Sequence, residues 1–143
     1  MNDVVQVTRM LRATPEVVFD AWTDADTLRR WLCPDPGVVG QASCDPVVGG
    51  GYRLVMLFDS GPFEVRGEYL EVDPPNRLVF TWLADSTPDQ PSRVTVTLKP
   101  AGERTEMTIR HEQIPTRQFG EAAEPAWRQA LDKLDQALAD VGA

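Results

Sequence analysis

His111 is the only histidine among the 143 residues. An imidazole changes charge near neutral pH, so one that faces a pocket can hold a ligand or move a proton. Strand alternation places it on one face with Met107 and Ile109, the face expected to point inward. Acid–base or nucleophilic catalysis needs a second group beside it, and no partner is identifiable. The plainer reading is a core histidine satisfied by a backbone or side-chain partner. Cys33 and Cys44 with His111 supply only three zinc-type ligands, at a spacing that matches no finger, so no metal and no cofactor are expected. Cys33 lies in a proline-rich loop with no activating charge at hand, which argues against a Cys–His nucleophile. In a reducing compartment both cysteines are expected as thiols.

Glu64, Glu68 and Glu71 could offer paired carboxylates. Strand parity puts Glu64 and Glu68 on one face and Glu71 on the other if no bulge intervenes, and solvated outer-face charges are the better reading. Gly49-Gly50-Gly51 lacks the lysine and hydroxyl of a phosphate loop and reads as a tight turn into a strand. Trp22, Trp31, Trp82 and Trp127 fall one to each of two short helices, the sheet and the last helix. Large aromatics dominate cores, and they also line pockets that carry a few polar groups.

The elements that must position these residues are readable from periodicity. From Glu124 to Val141, Trp127, Ala130, Leu131, Leu134, Ala137, Leu138 and Val141 recur at three- and four-residue steps, the apolar stripe of a helix. Pro125 suits its first turn. Val4 to Leu11 reads as a strand. Thr14-Pro15-Glu16 starts one short helix carrying Val18, Phe19 and Trp22. Thr23 or Asp24 caps a second, with Leu28, Trp31 and Leu32 inward, and Cys33-Pro34-Asp35-Pro36-Gly37 ends it. From Gln41 the pattern is strands and turns. Tyr52, Leu54, Met56 and Phe58 share a face, Asp59 to Pro62 turns, and Phe63 to Val72 is a strand in which Gly67 marks a bulge or sharp bend. Strands at Arg77 to Leu83, around Val94 to Leu98, and around Met107 to His111 follow, with a polar loop at Asp85 to Pro91. Successive hairpins make an antiparallel meander. A curved sheet around the last helix, in a single domain over residues 1–143, is expected.

The totals bound the function. Fourteen basic against twenty-two acidic residues give a net charge of −8, which disfavours nucleic acid and anionic membrane surfaces as partners. Neither a membrane-length apolar run nor a leader is evident, so a cytoplasmic location is the default expectation.

Several pieces, taken in order, resemble one family. They are Thr8-Arg9, Thr14-Pro15-Glu16-Val17-Val18-Phe19, Thr23-Asp24-Ala25-Asp26 with Arg30-Trp31, and Asp45-Pro46-Val47-Val48-Gly49-Gly50. Next come Gly67-Glu68-Tyr69-Leu70-Glu71-Val72-Asp73-Pro74-Pro75, Leu78-Val79-Phe80-Thr81, Thr105-Glu106-Met107-Thr108-Ile109-Arg110-His111, and Ala126-Trp127. With the order strand, two helices, six-strand meander, long helix, the chain resembles the START-like (SRPBCC) superfamily and, within it, the activator of heat-shock-protein-90 ATPase homologue-like family. Two departures are Ala126, where the family usually has glycine, and Pro125, which could separate the last helix from a shorter turn at Thr116 to Ala123. The resemblance implies an α+β helix-grip fold with a cavity between sheet and helix. Its members bind small apolar molecules, alter polyketides, or act as co-chaperones in stress responses, so it implies a pocket and not one activity.

Three functions follow as expectations. The first is non-catalytic binding of a small apolar molecule as carrier, sensor or sequestering protein, lined by Trp31, Tyr52, Met56, Phe58, Trp82, His111, Trp127 and Leu131. The second is a polyketide cyclase or hydrolase that works by positioning in the same cavity. The third is a co-chaperone acting through its surface, ranked last because the chain starts almost at its first strand, without the additional domain used for that contact. A homodimer is admitted alongside the small-molecule partner.

Overall fold

A computed structural model describes residues 4–33, 37–84 and 90–141, with the side chains of residues 140 and 141 outside the description. The side chain of Val141 in the predicted stripe, and most of the loops at Cys33–Gly37 and Asp85–Pro91, therefore lie outside the description.

Strand β1 (Val5–Leu11) is followed by helices α1 (Pro15–Thr23) and α2 (Ala25–Trp31). A six-strand meander comes next: β2 (Val38–Cys44), β3 (Gly51–Phe58), β4 (Gly61–Asp73), β5 (Arg77–Ala84), β6 (Ser92–Ala101) and β7 (Arg104–Glu112). The chain closes with α3 (Arg117–Val141). The strands form one seven-stranded antiparallel sheet in the order β1-β7-β6-β5-β4-β3-β2. This is the helix-grip architecture, with α3 laid on the concave face of the curved sheet. Among the described residues no helix is long and apolar enough to cross a membrane.

Alternation drives the inner face. Tyr52, Leu54 and Met56 from β3, Leu78 and Phe80 from β5, Val94, Val96 and Leu98 from β6, and Met107 and Ile109 from β7 are all buried. Asp24 caps α2 by accepting from the Thr27 N–H and hydroxyl. Thr14 stands at the N-cap of α1, but its side chain makes no capping bond.

Two sequence expectations are corrected. First, β4 keeps its register with β5 through Gly67, and the irregularity falls between Tyr69 and Glu71. That bulge returns Val72 to the core side and sends Glu71 outward, so Glu64, Glu68 and Glu71 share the outer face. Glu64 there pairs with Arg53 at 2.9 Å, and Glu71 with Arg77 at 3.0 Å. What Gly67 provides is close approach. A Cβ there would sit 2.0 Å from the Thr81 carbonyl oxygen and 2.7 Å from the Tyr52 ring, so only glycine lets the Tyr52 phenol cross β4 to donate to Thr81.

Second, α3 does not begin at Pro125. It starts a full two turns earlier, capped by the Thr116 hydroxyl, which accepts from the Phe119 N–H at 3.0 Å. Its 25 residues span about 37 Å. Proline inside a helix leaves one carbonyl unbonded, here that of Glu121; both residues are exposed, so water can satisfy it.

Leu131 and Leu134 are fully buried, and Leu138 nearly so. Leu134→Asp would put an unpaired carboxylate among them, at a cost of several kcal/mol against the roughly 5–15 kcal/mol of a whole domain. The variant is expected to be insoluble or to lack cooperative melting. A thermal melt close to that of the wild type would show that the stripe is not core.

Candidate functional site

The two halves of α3 meet the sheet differently. Its C-terminal half fills the space with leucines. Its N-terminal half presents Ala122, Ala123, Ala126 and Ala130, side chains too short to reach the strands. Between them and the sheet lies a cavity of about 520 Å³. Its far wall is Met56 and Phe58 from β3, Phe63 and Val65 from β4, Trp82 from β5 and His111 from β7. Leu32, at the end of α2, and Phe119 and Trp127 of α3 complete the apolar lining, and Thr116 and Gln118 stand at the exposed first turn of α3. The rings pack obliquely: Trp82 and Trp127 are 5.4 Å apart at 55°, and Phe119 meets His111 edge-on at 5.6 Å.

His111 joins the helix to the sheet. The Trp127 indole N–H donates to Nδ1 at 3.2 Å, which requires that nitrogen to be unprotonated. The other nitrogen, Nε2, then carries the proton and donates to the Ser92 hydroxyl at 2.6 Å, and Ser92 donates on to the Trp82 carbonyl at 3.1 Å. Every member of this buried chain is satisfied. Burial lowers the imidazole to about 4, so it is neutral around pH 7. With both nitrogens engaged and the cation disfavoured, His111 offers a ligand its ring and no free proton. The plainer reading of the sequence, a histidine satisfied by side-chain partners, is the observed one.

Of the eight residues singled out from the sequence, Met56, Phe58, Trp82, His111 and Trp127 line the cavity. The other three do not. Trp31 is fully buried, donates to the Ala21 carbonyl at 3.1 Å and stacks edge-on against Trp22 at 4.7 Å. Tyr52 is spent on Thr81 and packs against Tyr69 and Phe80, and burial pushes its phenol up, so it stays a protonated donor. Leu131 belongs to the filled half of α3. Neither cysteine lines the cavity; Cys44 donates to the Thr23 carbonyl at 3.3 Å, and burial raises its thiol.

Sequence reasoning missed Phe63, Val65, Phe119, the four alanines, Thr116 and Gln118, together with Ser92 behind the wall. The alanine signal was present: positions 119, 122, 123, 126 and 130 share one helical face, and only the helix start placed at Pro125 concealed it.

The family model of the Activator of Hsp90 ATPase homolog 1-like proteins matches residues 12–139. A crystal structure of a Chromobacterium violaceum protein is similar at a TM-score of 0.85 and 31% identity, covering 94% of this chain and 96% of that one. A Mesorhizobium loti structure is similar at a TM-score of 0.80 and 28% identity, covering 96% and 97%. One from Silicibacter pomeroyi is similar at 0.82 and 25% identity, covering 95% and 97%. No curated protein matches the chain at significant similarity.

The histidine makes stability pH-dependent. An unfolded imidazole near 6.5 protonates before the folded one near 4, so the contribution is complete above pH 6.5 and is lost as pH falls towards 4. The loss amounts to roughly 3 kcal/mol at 1.36 kcal/mol per pH unit. Urea unfolding of wild type and His111→Gln at several pH values should show the wild-type advantage shrinking by about that much between neutrality and pH 4. A difference independent of pH would refute the neutral, buried assignment.

Proposed function

The chain belongs to the family of Activator of Hsp90 ATPase homolog 1-like proteins, and from that premise we propose that it binds a small apolar molecule in the cavity under the first half of α3. The observation that carries this reading is the alanine face of α3 set opposite Met56, Phe58, Phe63, Val65 and Trp82 across about 520 Å³. Small-molecule sites run from about 300 to 1,000 Å³ and are mostly apolar with a few polar groups. A core built only for stability would fill such space, since each unfilled volume costs free energy.

Carrier or sensor is favoured over enzyme. Asp, Glu, Lys, Arg and Cys are absent from the described lining, and the one imidazole has both nitrogens engaged. General acid–base chemistry needs a group that can give or take a proton at the reacting atom. Holding a ligand needs only the shape.

Phenylnaphthylamine, an uncharged fluorescent probe, should bind saturably and quench emission from Trp82 and Trp127. An area of about 200 Å² buried at about 25 cal/mol per Å² gives about 5 kcal/mol before association costs, so affinity should be micromolar or weaker. The double variant Ala123→Leu with Ala126→Phe fills the cavity from the helix side. It should weaken binding about tenfold or more while melting at or above the wild-type temperature. Unchanged affinity in a folded double variant, or no saturable binding by the wild type, would remove this reading.

A further inference from the structure

We propose that Leu32 sets how long a ligand the cavity accepts, by standing as a partition between the cavity and a second, smaller space on the same face of the sheet. The proposal rests on the apolar-ligand reading above and adds the side chain that fixes ligand length.

The second space is a void of about 20 Å³. It adjoins the cavity, because several elements line first one and then the other. On β3, Met56 lines the cavity and Leu54, the next inward residue, lines the void. On β5, Trp82 and Phe80 take the same step. β4 runs the opposite way and steps forward, from Val65 on the cavity to Tyr69 on the void. Leu28 of α2 lines the void one turn before Leu32. Successive inward residues of a strand lie about 6.6 Å apart, so the void continues the cavity along the strands.

Among the described residues only Leu32 and Trp82 line both spaces. They are held differently. Trp82 is fixed in the sheet: its carbonyl accepts from Ser92 at 3.1 Å, and its ring packs on Trp127 at 5.4 Å and on His111 at 5.9 Å. Leu32 follows α2, and its N–H closes that helix by donating to the Leu28 carbonyl at 3.1 Å. Its buried side chain is hydrocarbon and is held by packing alone. Shortening Leu32 therefore joins the two spaces and leaves the chain from Trp127 through His111 to Ser92 intact.

The joined space suits an apolar tail. Trp22, Leu28, Leu54 and Phe80 offer ring and hydrocarbon surface, and the Tyr52 hydroxyl is spent on the Thr81 carbonyl. In the wild type a tail reaching Leu32 could pass it only by displacing a close-packed side chain.

Linear alcohols from 1-hexanol to 1-tetradecanol, displacing phenylnaphthylamine, measure the length directly. Each further buried methylene should tighten binding about fourfold, up to a limiting chain length beyond which affinity levels off. Leu32→Ala removes three carbons and opens a void of about one water, so the limit should move out by about three or four methylenes. General loosening of the protein would instead shift every alcohol alike. Leu32→Val is a milder truncation that keeps the test open should the alanine variant not fold, and it should move the limit by about one methylene. In methyl-labelled protein, nuclear Overhauser effects from the longest alcohol bound should reach Met56 but not Leu28 in the wild type, and should reach Leu28 in Leu32→Ala. A wild-type series without a limit, wild-type contact with Leu28, or a limit unmoved in the folded variants would overturn the partition while leaving the cavity occupied. Failure of phenylnaphthylamine and of every alcohol to bind the wild type would overturn the cavity reading and this inference together.

Discussion

The contact on which the rest of the molecule depends is the packing of Leu131, Leu134 and Leu138 into the core that α3 shares with the inner face of the sheet and with helices α1 and α2. Neither side can exist without the other. A lone helix cannot bury its stripe, and a curved antiparallel sheet needs a cover for its inner face. Around this contact α1 and α2 close one flank, with the T-shaped pair of Trp22 and Trp31 between them. Arg9 and Arg12 reach from β1 and the residue after it to Asp132 and Asp135 on the helix, exposed pairs that orient more than they stabilise. Lys133 ties the helix to the Cys33 and Gly37 carbonyls.

The same helix makes room for a cavity by changing side-chain size along one face. Where leucines face the sheet the interior is filled. Where alanines line it, at positions 122, 123, 126 and 130, the short side chains leave the volume open. The leucine half anchors what the alanine half cannot, so the cavity is supported by a rigid core and not by its own lining. Trp127 lies between the two regimes, with its ring on the cavity and its N–H on His111.

His111 illustrates how context decides chemistry. The residue type suggests a proton carrier. Three hydrogen bonds in series, from Trp127 through His111 and Ser92 to the Trp82 carbonyl, make it instead a strut between helix and sheet. Its neutrality follows from burial, with a donor on Nδ1 and no carboxylate partner among the described residues.

What the amino-acid order determined by itself is what depends on local periodicity: the strands through Tyr52–Phe58 and Arg77–Leu83, the inward face of Met107, Ile109 and His111, a helix start at Thr23 or Asp24, and the stripe from Trp127 to Leu138. These follow from alternation and helical spacing, which neighbours in sequence settle without long-range contacts. Tertiary structure decided the rest. Pro125 reads locally as a helix start, yet α3 runs through it, because cooperative packing outweighs the single hydrogen bond that proline removes. The bulge beyond Tyr69, which moved Glu71 to the outer face, arises in the pairing of β4 with β5 and has no signature in one strand alone. Tyr52 and Trp31 were separated from the cavity because their polar atoms found the carbonyls of Thr81 and Ala21, partners 29 and 10 residues away in the chain. The cavity itself is a difference between the reach of the side chains on α3 and the space between that helix and the sheet. Such a difference exists only once both surfaces are in place.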